Sequence, residues 1–115
     1  MRPIKFRIWD IRNNKFNLPH RDYSIYDLVN NTQELRSDEK YIYQQFTGLK
    51  DKNGKEIWEG DILLCRDLQM NEKYNRNREV IYNEYMFMVK DGWPPYSCFE
   101  NSEIVGNIFE NPELL

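Results

Sequence analysis

The chain has 115 residues and a net charge of −3; 40% of its residues are hydrophobic and 15% aromatic, and alanine is absent while isoleucine occurs ten times. Because alanine is the best helix former and bulky, β-branched side chains suit strands, this composition excludes an all-helical bundle and predicts one small β-rich domain. No stretch approaches the roughly 20 apolar residues of a membrane span, and the N-terminus lacks the apolar core of a secretory signal, so we expect a cytoplasmic protein without a membrane partner.

Charge is distributed unevenly along the chain. Residues 1–21 contain six basic residues and one acidic residue, whereas residues 99–115 contain four glutamates and no basic residue. The two ends can attract each other within one molecule or between neighbouring copies. Alternatively, the N-terminal cations form a phosphate-binding face, since clustered cations release counterions from nucleic acid. These cations are Arg2, Lys5, Arg7, Arg12, Lys15 and Arg21.

The first predicted element is a β-hairpin within an N-terminal appendage of residues 1–40. Apolar and basic residues alternate from Ile4 to Trp9, which is the pattern of a strand with one buried face. Residues 10–14 supply turn chemistry, because Asn and Asp tolerate left-handed backbone, and residues 15–18 return as a short strand. Residues 22–35 are predicted to form a short helix or an irregular loop.

A second hairpin is predicted at the start of the remaining part, residues 41–115. Strands are expected over residues 41–47 and 55–58, on either side of a turn over residues 48–54. Asn53-Gly54 is a strong hairpin signal because both residue types accept a positive φ.

The next segment predicts a turn, a buried strand and a long loop. Glu59-Gly60-Asp61 turns the chain into the continuous apolar run of residues 62–65, which suits a buried strand. Residues 66–78 are polar throughout and predict an exposed loop, of a length that is usually functional or disordered.

The last segments are short and strand-like. Residues 79–90 are predicted to form two strands joined tightly or one bulged strand. A rigid aromatic turn is predicted over residues 91–96, and two further strands are predicted over residues 98–100 and 104–109. Short strands at this spacing indicate a small antiparallel barrel. We expect Trp9, Trp58 and Tyr82 in the core, as is usual for large aromatic side chains.

The sequence offers no catalytic, metal or cofactor motif. The DKNG stretch lacks carboxylates at both ends of a calcium loop, and the glycines fit neither a phosphate-binding loop nor GxGxxG. Cys65 and Cys98 have no further cysteine pair or second histidine with which to hold zinc, so we expect buried thiols. The single histidine, His20, lies in a polar stretch and is expected at the surface. The carboxylates of Glu59 and Asp61 are expected to accept hydrogen bonds from backbone amides of the turn rather than to act in acid–base catalysis. We therefore predict no catalytic residues, no metal site, no cofactor and no enzyme activity.

Three separate segments carry a family resemblance. FRIWD at residues 6–10, FTGLKDKNGKEIWEGDI at residues 46–62 and IVGNIFENPELL at residues 104–115 together resemble the YopX family of small phage and prophage proteins. The resemblance implies an SH3-like antiparallel barrel over roughly the C-terminal two-thirds, residues 41–115, with the N-terminal β-hairpin as an appendage and at most one short helix. The resemblance supplies no active site. It implies that the protein is encoded by a phage or prophage and is located in the cytoplasm of the bacterial host.

The leading functional hypothesis is a non-enzymatic module that binds a protein partner or a second copy of itself. The aromatic turn presents Trp93, Pro94 and Tyr96, and rigid aromatic side chains give a large contact area at low entropic cost.

The alternative hypothesis is a small barrel that binds single-stranded nucleic acid. Small barrels of this type combine cations with aromatic stacking platforms. The basic loop 66–78 and the basic N-terminus provide such groups. In the loop they are Arg66, Lys73, Tyr74, Arg76 and Arg78.

Overall fold

The computed structural model describes a chain that is mostly β. The described residues are 4–16, 23–24, 41–65, 75–83, 86–90, 99 and 101–115. Two antiparallel sheets are present, one of them curled into a half-barrel, which is compatible with the predicted small barrel. The chain divides into two compact units, Met1–Phe46 and Thr47–Leu115. Within the described residues, no helix is long and apolar enough to cross a membrane.

Among its described residues, the first unit contains four strands. Strand β1 (Lys5–Asp10) pairs antiparallel with β2 (Lys15–Phe16), with β3 (Tyr23–Ser24) and with β4 (Tyr41–Lys50), whose last four residues belong to the second unit. The predicted N-terminal hairpin is confirmed as far as Phe16. In the segment predicted as a helix or loop, residues 23–24 form β3 instead, because they pair with β1; the rest of that segment lies outside the described residues.

Asp10 closes the turn of the first hairpin. Its carboxylate accepts hydrogen bonds from the amide of Arg12 at 3.0 Å and from the amide and side chain of Asn13 at 3.2 and 2.8 Å. The pKa of Asp10 is lower than its ordinary value, chiefly because the Asn13 side chain donates a hydrogen bond to the carboxylate. Desolvation of the carboxylate acts in the opposite direction. Asn14 adopts a φ of 50°, the left-handed backbone expected of an asparagine in this turn.

The second unit contains a four-stranded antiparallel sheet in the order β8-β7-β6-β9. The remaining strands are β5 (Glu56–Trp58), β6 (Asp61–Cys65), β7 (Arg76–Asn83), β8 (Met86–Val89) and β9 (Glu103–Asn107), followed by a 3₁₀ helix at Pro112–Leu114. Strand β5 pairs with β4. The register between β6 and β9 shifts between Ile62 and Leu63, so that β9 has one residue more than β6 at this point.

The core of the second unit lies on one face of this sheet. Its buried members are Ile57, Leu63, Cys65, Val80, Phe87, Val89 and Phe99, and Ile104 packs against them. The buried strand predicted at residues 62–65 is confirmed, as are the buried Cys65 thiol and the buried Trp9 and Trp58. In the first unit, Ile8 forms a smaller core with Phe6, Tyr41 and Tyr43.

Several predictions for the second unit are corrected. The loop predicted over residues 66–78 is wrong for its last three residues, because β7 begins at Arg76 and pairs with the buried strand β6. Of the two alternatives predicted for residues 79–90, two strands rather than one bulged strand is confirmed, since β7 pairs antiparallel with β8. Tyr82 is 50% exposed rather than buried, since it lies near the end of β7; its ring and that of Phe87 pack edge to face with their centres 5.0 Å apart.

The structure also differs from the prediction at two strands near the C-terminus. Phe99 has a helical backbone rather than an extended one, while residues 98 and 100 lie outside the described part of the chain. The strand predicted over residues 104–109 ends at Asn107, whose side-chain oxygen accepts hydrogen bonds from the amides of Phe109 and Glu110 at 3.0 and 2.9 Å. These bonds turn the chain toward the 3₁₀ helix.

Gly106 is required by the close approach of Asn111. A Cβ atom at position 106 would lie 2.5 to 2.8 Å from the Oδ1, Cγ and Cβ atoms of Asn111. The Asn111 side chain cannot move freely, because its Oδ1 accepts a hydrogen bond from the amide of Asn107 at 3.3 Å.

We therefore expect Gly106→Ala to lower the free energy of unfolding by about 2 kcal/mol, the usual cost of overpacking. The matched test is a double-mutant cycle with Asn111→Gly, measured by urea unfolding. The two effects should be less than additive, because the second change removes the atoms that clash. Strict additivity would show that the two side chains do not compete for this space.

Candidate functional site

The structure describes two of the eight residues proposed for partner binding. Trp93, Pro94 and Tyr96 lie outside the described residues, as do Arg66, Lys73 and Tyr74, so their roles remain predictions. Arg76 and Arg78 lie in strand β7. The candidate surface is therefore built outward from β7.

A groove lined by three cations and one acidic residue runs along the first half of β7. It has a volume of about 340 Å³ and is lined by Arg76, Asn77, Arg78, Glu79, Lys90 and Leu115. We call this set the basic groove. Three of its six residues are cations and one is acidic, so it carries a local positive charge on a chain whose net charge is −3.

Hydrogen bonds to backbone carbonyls fix the walls of the basic groove. The Arg78 guanidinium donates to the carbonyl of Lys90 at 3.3 Å, and the Asn77 side chain donates to the carbonyl of Leu114 at 3.0 Å. The second bond holds the C-terminal 3₁₀ helix against β7. Glu113, which is exposed, precedes Leu114 in that helix.

The second half of β7 and strand β8 form a hairpin with two apolar faces. Val80 pairs with Val89, and both are fully buried in the core. Since side chains alternate across a strand, Ile81 and its partner Met88 lie on the opposite face, together with Met86. We call these three residues the outer hairpin face. Met86 is 45% exposed, and Ile81 and Met88 are half-buried.

The outer side of the sheet is covered at Ile62, which pairs with Glu79 and is 0% exposed, and becomes open toward Met86 at the end of the hairpin. An antiparallel sheet with one solvated face normally places polar residues at the solvated positions. In β8 both outward positions are methionine, a flexible and polarizable side chain that is common at adaptable binding surfaces. A detectable signal was present in the sequence: MFMV is continuously apolar where a half-buried strand would alternate.

The outer hairpin face continues into the part of the basic groove formed by Glu79 and Lys90. The amide of Lys90 donates to the carbonyl of Glu79 at 2.8 Å, which extends the pairing of β7 with β8 by one step beyond Val80 and Val89. Glu79 and Lys90 therefore follow Ile81 and Met88 on the same side of the hairpin. The combined surface is apolar toward the end of the hairpin and charged toward the 3₁₀ helix.

Two of the N-terminal cations have contacts within the first unit. The Lys5 ammonium lies 4.6 Å from the centre of the Phe46 ring. The Arg7 guanidinium lies 4.4 Å from the centre of the Phe16 ring and donates to Gln44 at 2.8 Å. Cation–π contacts and packing of the aliphatic stems give these residues a structural role. Arg12 and Lys15 are exposed, whereas Arg2 and Arg21 are outside the described residues.

Asp51 and Asp61, two buried carboxylates of the central motif, bind backbone amides. Asp51, 5% exposed, accepts hydrogen bonds from Asn53 at 2.8 Å, Lys55 at 3.0 Å and the distant Ile104 at 3.0 Å. Asp61, 3% exposed, accepts from Trp58 at 2.8 Å. Both carboxylates thus stabilise turns, and Asp51 also joins the central motif to β9.

The hydrogen bonds to Asp51 determine its protonation. Burial alone raises the pKa of this carboxyl, but the amides of Ile104, Lys55 and Asn53, with the positive charge of Lys55, more than offset that effect and hold the pKa below the ordinary value. Asp51 is therefore an ionised structural group at neutral pH. Among the described residues, no cluster of three or more His, Cys, Asp or Glu side chains could hold a metal ion.

Comparisons with known proteins agree with the resemblance of the three motifs. The family model described as YopX protein matches residues 5–115. The crystal structure of protein EF1440 from Enterococcus faecalis is similar at 27% sequence identity and a TM-score of 0.67, with 97% of each chain covered. No curated protein sequence matches the chain.

Proposed function

The chain belongs to the family of YopX proteins, and we propose that it acts by binding another protein, without catalysis. The observation that carries this proposal is the outer hairpin face, where Ile81, Met86 and Met88 occupy positions that a solvated strand fills with polar residues. Contiguous exposed apolar side chains with a charged rim are typical of protein-binding surfaces.

The charged residues beside the apolar face support the same proposal. Complementary charge around an apolar centre sets partner choice and the rate of association. Glu79 and Lys90, at one end of the basic groove, supply charged groups beside Ile81 and Met88 on the same side of the hairpin. We further propose, on the basis of the family resemblance, that the protein acts in the cytoplasm of a bacterium that carries the phage or prophage.

The proposal predicts that Met86→Glu reduces partner capture while leaving the fold intact. With immobilised chain and bacterial lysate, we expect captured protein to fall at least fivefold, because a charge in the apolar centre must be desolvated on binding. The matched control is Leu49→Glu, since Leu49 is 41% exposed and Met86 is 45% exposed. Equal capture by wild type and both variants would contradict the proposal. Trp93→Ala with Tyr96→Ala tests in the same assay whether the aromatic turn contributes.

A second candidate function is binding of single-stranded nucleic acid in the basic groove. The observation in its favour is that Arg76 and Arg78 lie together with Lys90 in one groove. Fluorescence anisotropy with a labelled oligonucleotide at low salt tests it, using Arg76→Gln against the exposed Arg12→Gln as the control. Binding that is absent, or that does not depend on salt, rejects this candidate.

A further inference from the structure

We infer that Met86 is a site of reversible oxidation, and that conversion of its thioether to the sulfoxide closes the outer hairpin face to its protein partner. The first part concerns the side chain alone, whereas the second part rests on the proposed function. Met86 is the most exposed of the sulfur-bearing side chains that the structure describes. The others are Met88, which is half-buried, and Cys65, which is 5% exposed and lies in the core of the second unit.

The position of Met86 at the end of the hairpin accounts for its exposure. Met86 is 45% exposed and pairs with Asn83, which is itself exposed. Met88 lies two residues further along β8 on the same face, where it pairs with the half-buried Ile81. Side chains directly opposite each other on one face of a strand pair are neighbours, so Ile81 is close enough to cover part of Met88. The two methionines therefore share one face but differ in their access to solvent.

A hydrogen bond further distinguishes the two sulfur atoms. The Asn83 side-chain amide donates to the Sδ atom of Met88 at 3.5 Å. Sulfur attacks a peroxide through a lone pair, and a lone pair that accepts a hydrogen bond, even a weak one, is less available for that attack. Partial burial and this hydrogen bond both protect Met88, so an oxidant reacts with Met86 first.

The oxidant is a peroxide, and hydrogen peroxide is the simplest member of that class. The Met86 sulfur attacks one peroxide oxygen, so that an S–O bond forms and the O–O bond breaks. The proton of the attacked oxygen passes to the other oxygen, which leaves as water. The sulfur loses two electrons and the peroxide gains them. A methionine sulfoxide reductase reverses the change: a dithiol is oxidised to a disulfide, the thioether is restored and water is released.

Oxidation changes what the outer hairpin face offers to a partner. The thioether of methionine is apolar, whereas the sulfoxide is polar. Covering the sulfoxide oxygen with apolar surface removes its water without replacing the hydrogen bonds, which is unfavourable. Met86 is the most exposed residue of the outer hairpin face, so this penalty falls where the partner makes contact. The modification therefore weakens binding of the partner, and reduction restores it.

The experiment begins with a hydrogen peroxide time course on the full chain, in buffer and in concentrated urea. Trypsin cleaves after Arg78 and Lys90, so both methionines occur in one peptide, and fragment ions show which of them has gained oxygen. In buffer we expect Met86 to be oxidised at least about threefold faster than Met88, and in urea both at the same rate, because only the folded chain protects Met88. Equal rates in buffer, or faster oxidation of Met88, would overturn the inference.

The second step measures protein capture from bacterial lysate after the peroxide has been removed, as a ratio to capture by the untreated chain. For wild type we expect this ratio to fall at least about threefold, and to recover after treatment with dithiothreitol and the reductases for both sulfoxide epimers. Met86→Leu keeps an apolar side chain of similar volume that cannot take up oxygen, so peroxide should not change its ratio. Met88→Leu is the matched control and should respond to peroxide as wild type does.

The outcomes separate this inference from the proposed function. If peroxide leaves capture by wild type unchanged although Met86→Glu lowers it, the inference is overturned and the proposed function stands. A loss of capture that is the same in wild type and Met86→Leu also overturns the inference. If Met86 is oxidised first, but neither its oxidation nor Met86→Glu alters capture, both the closing of the surface and the proposed function are overturned.

Discussion

Asp51→Ala is expected to lower the free energy of unfolding by about 3 kcal/mol at pH 7. The change removes a buried carboxylate that accepts hydrogen bonds from three backbone amides, at 2.8, 3.0 and 3.0 Å. Hydrogen bonds to charged groups are stronger than neutral ones, and amides left without an acceptor lose free energy. Urea unfolding of wild type and variant gives the difference directly. Glu103→Gln is a nearby control, since its contact with Lys52 at 3.6 Å is a half-exposed ion pair worth less than about 1 kcal/mol.

The same residue predicts how stability depends on pH. The pKa of Asp51 is lower in the folded protein than its ordinary value of 3.8, so its contribution is complete above that value and is lost as the pH falls through the folded pKa. The difference in the free energy of unfolding between wild type and Asp51→Ala should therefore be constant near neutral pH and should become smaller below about pH 4. A difference that stayed unchanged down to pH 2 would show that the ionised carboxylate is not the stabilising form.

Leu63→Ala is expected to lower the free energy of unfolding by about 3 kcal/mol. Leu63 is 0% exposed and lies in the core, where it pairs with Arg78 on one side and Ile104 on the other. Truncation loses transfer free energy and leaves a cavity, which costs between about 2 and 5 kcal/mol in a tightly packed site. The measurement is the urea midpoint at an unchanged m value.

Leu49→Ala is the matched control for Leu63→Ala, because it makes the same chemical change at a residue that is 41% exposed. Its expected effect is below about 0.5 kcal/mol. Similar losses for the two variants would mean that the core of the second unit does not centre on β6. A loss at Leu49 alone would contradict the assignment of the buried face.

Local patterns in the sequence were sufficient to predict much of the fold. Apolar alternation with an Asp/Asn turn predicted the first hairpin, and the turn before Ile62 predicted the buried strand β6. Gly60 forms the turn before β6 with a φ of 86°. Its amide donates a hydrogen bond to the carbonyl of Val80, and its carbonyl accepts one from the amide of Ile108. Such turns depend on the conformational freedom of one residue type, so a single sequence reveals them.

Interactions between distant residues were not predictable in this way. The start of β7 was predicted as loop because Arg76 and Arg78 are charged, but pairing with Cys65 and Leu63 overrides that local preference. Asp51 was recognised as a turn residue, whereas its bond to Ile104, 53 positions away, requires the folded chain. Tyr82 was predicted to be buried from the average behaviour of aromatic residues, and its place near a strand end decides otherwise.

The candidate surface was predicted only in part. Arg76 and Arg78 were selected from the sequence, but as members of a loop, and the contribution of Lys90 became visible only through the pairing of β7 with β8. The outer hairpin face was not selected, although MFMV departs from alternation. A continuous apolar run fits a strand buried on both faces equally well, and only the register with β7 shows which side chains face outward.

The most direct test of the central claim, that the outer hairpin face contacts a protein, is site-specific photo-crosslinking in bacterial cells. A benzoylphenylalanine residue replaces Met86, which is 45% exposed, in one variant and Leu49, which is 41% exposed, in another. We predict a covalent protein adduct from position 86, identifiable by mass spectrometry, and none from position 49. Adducts in equal yield from both positions, or none from position 86, would contradict the account.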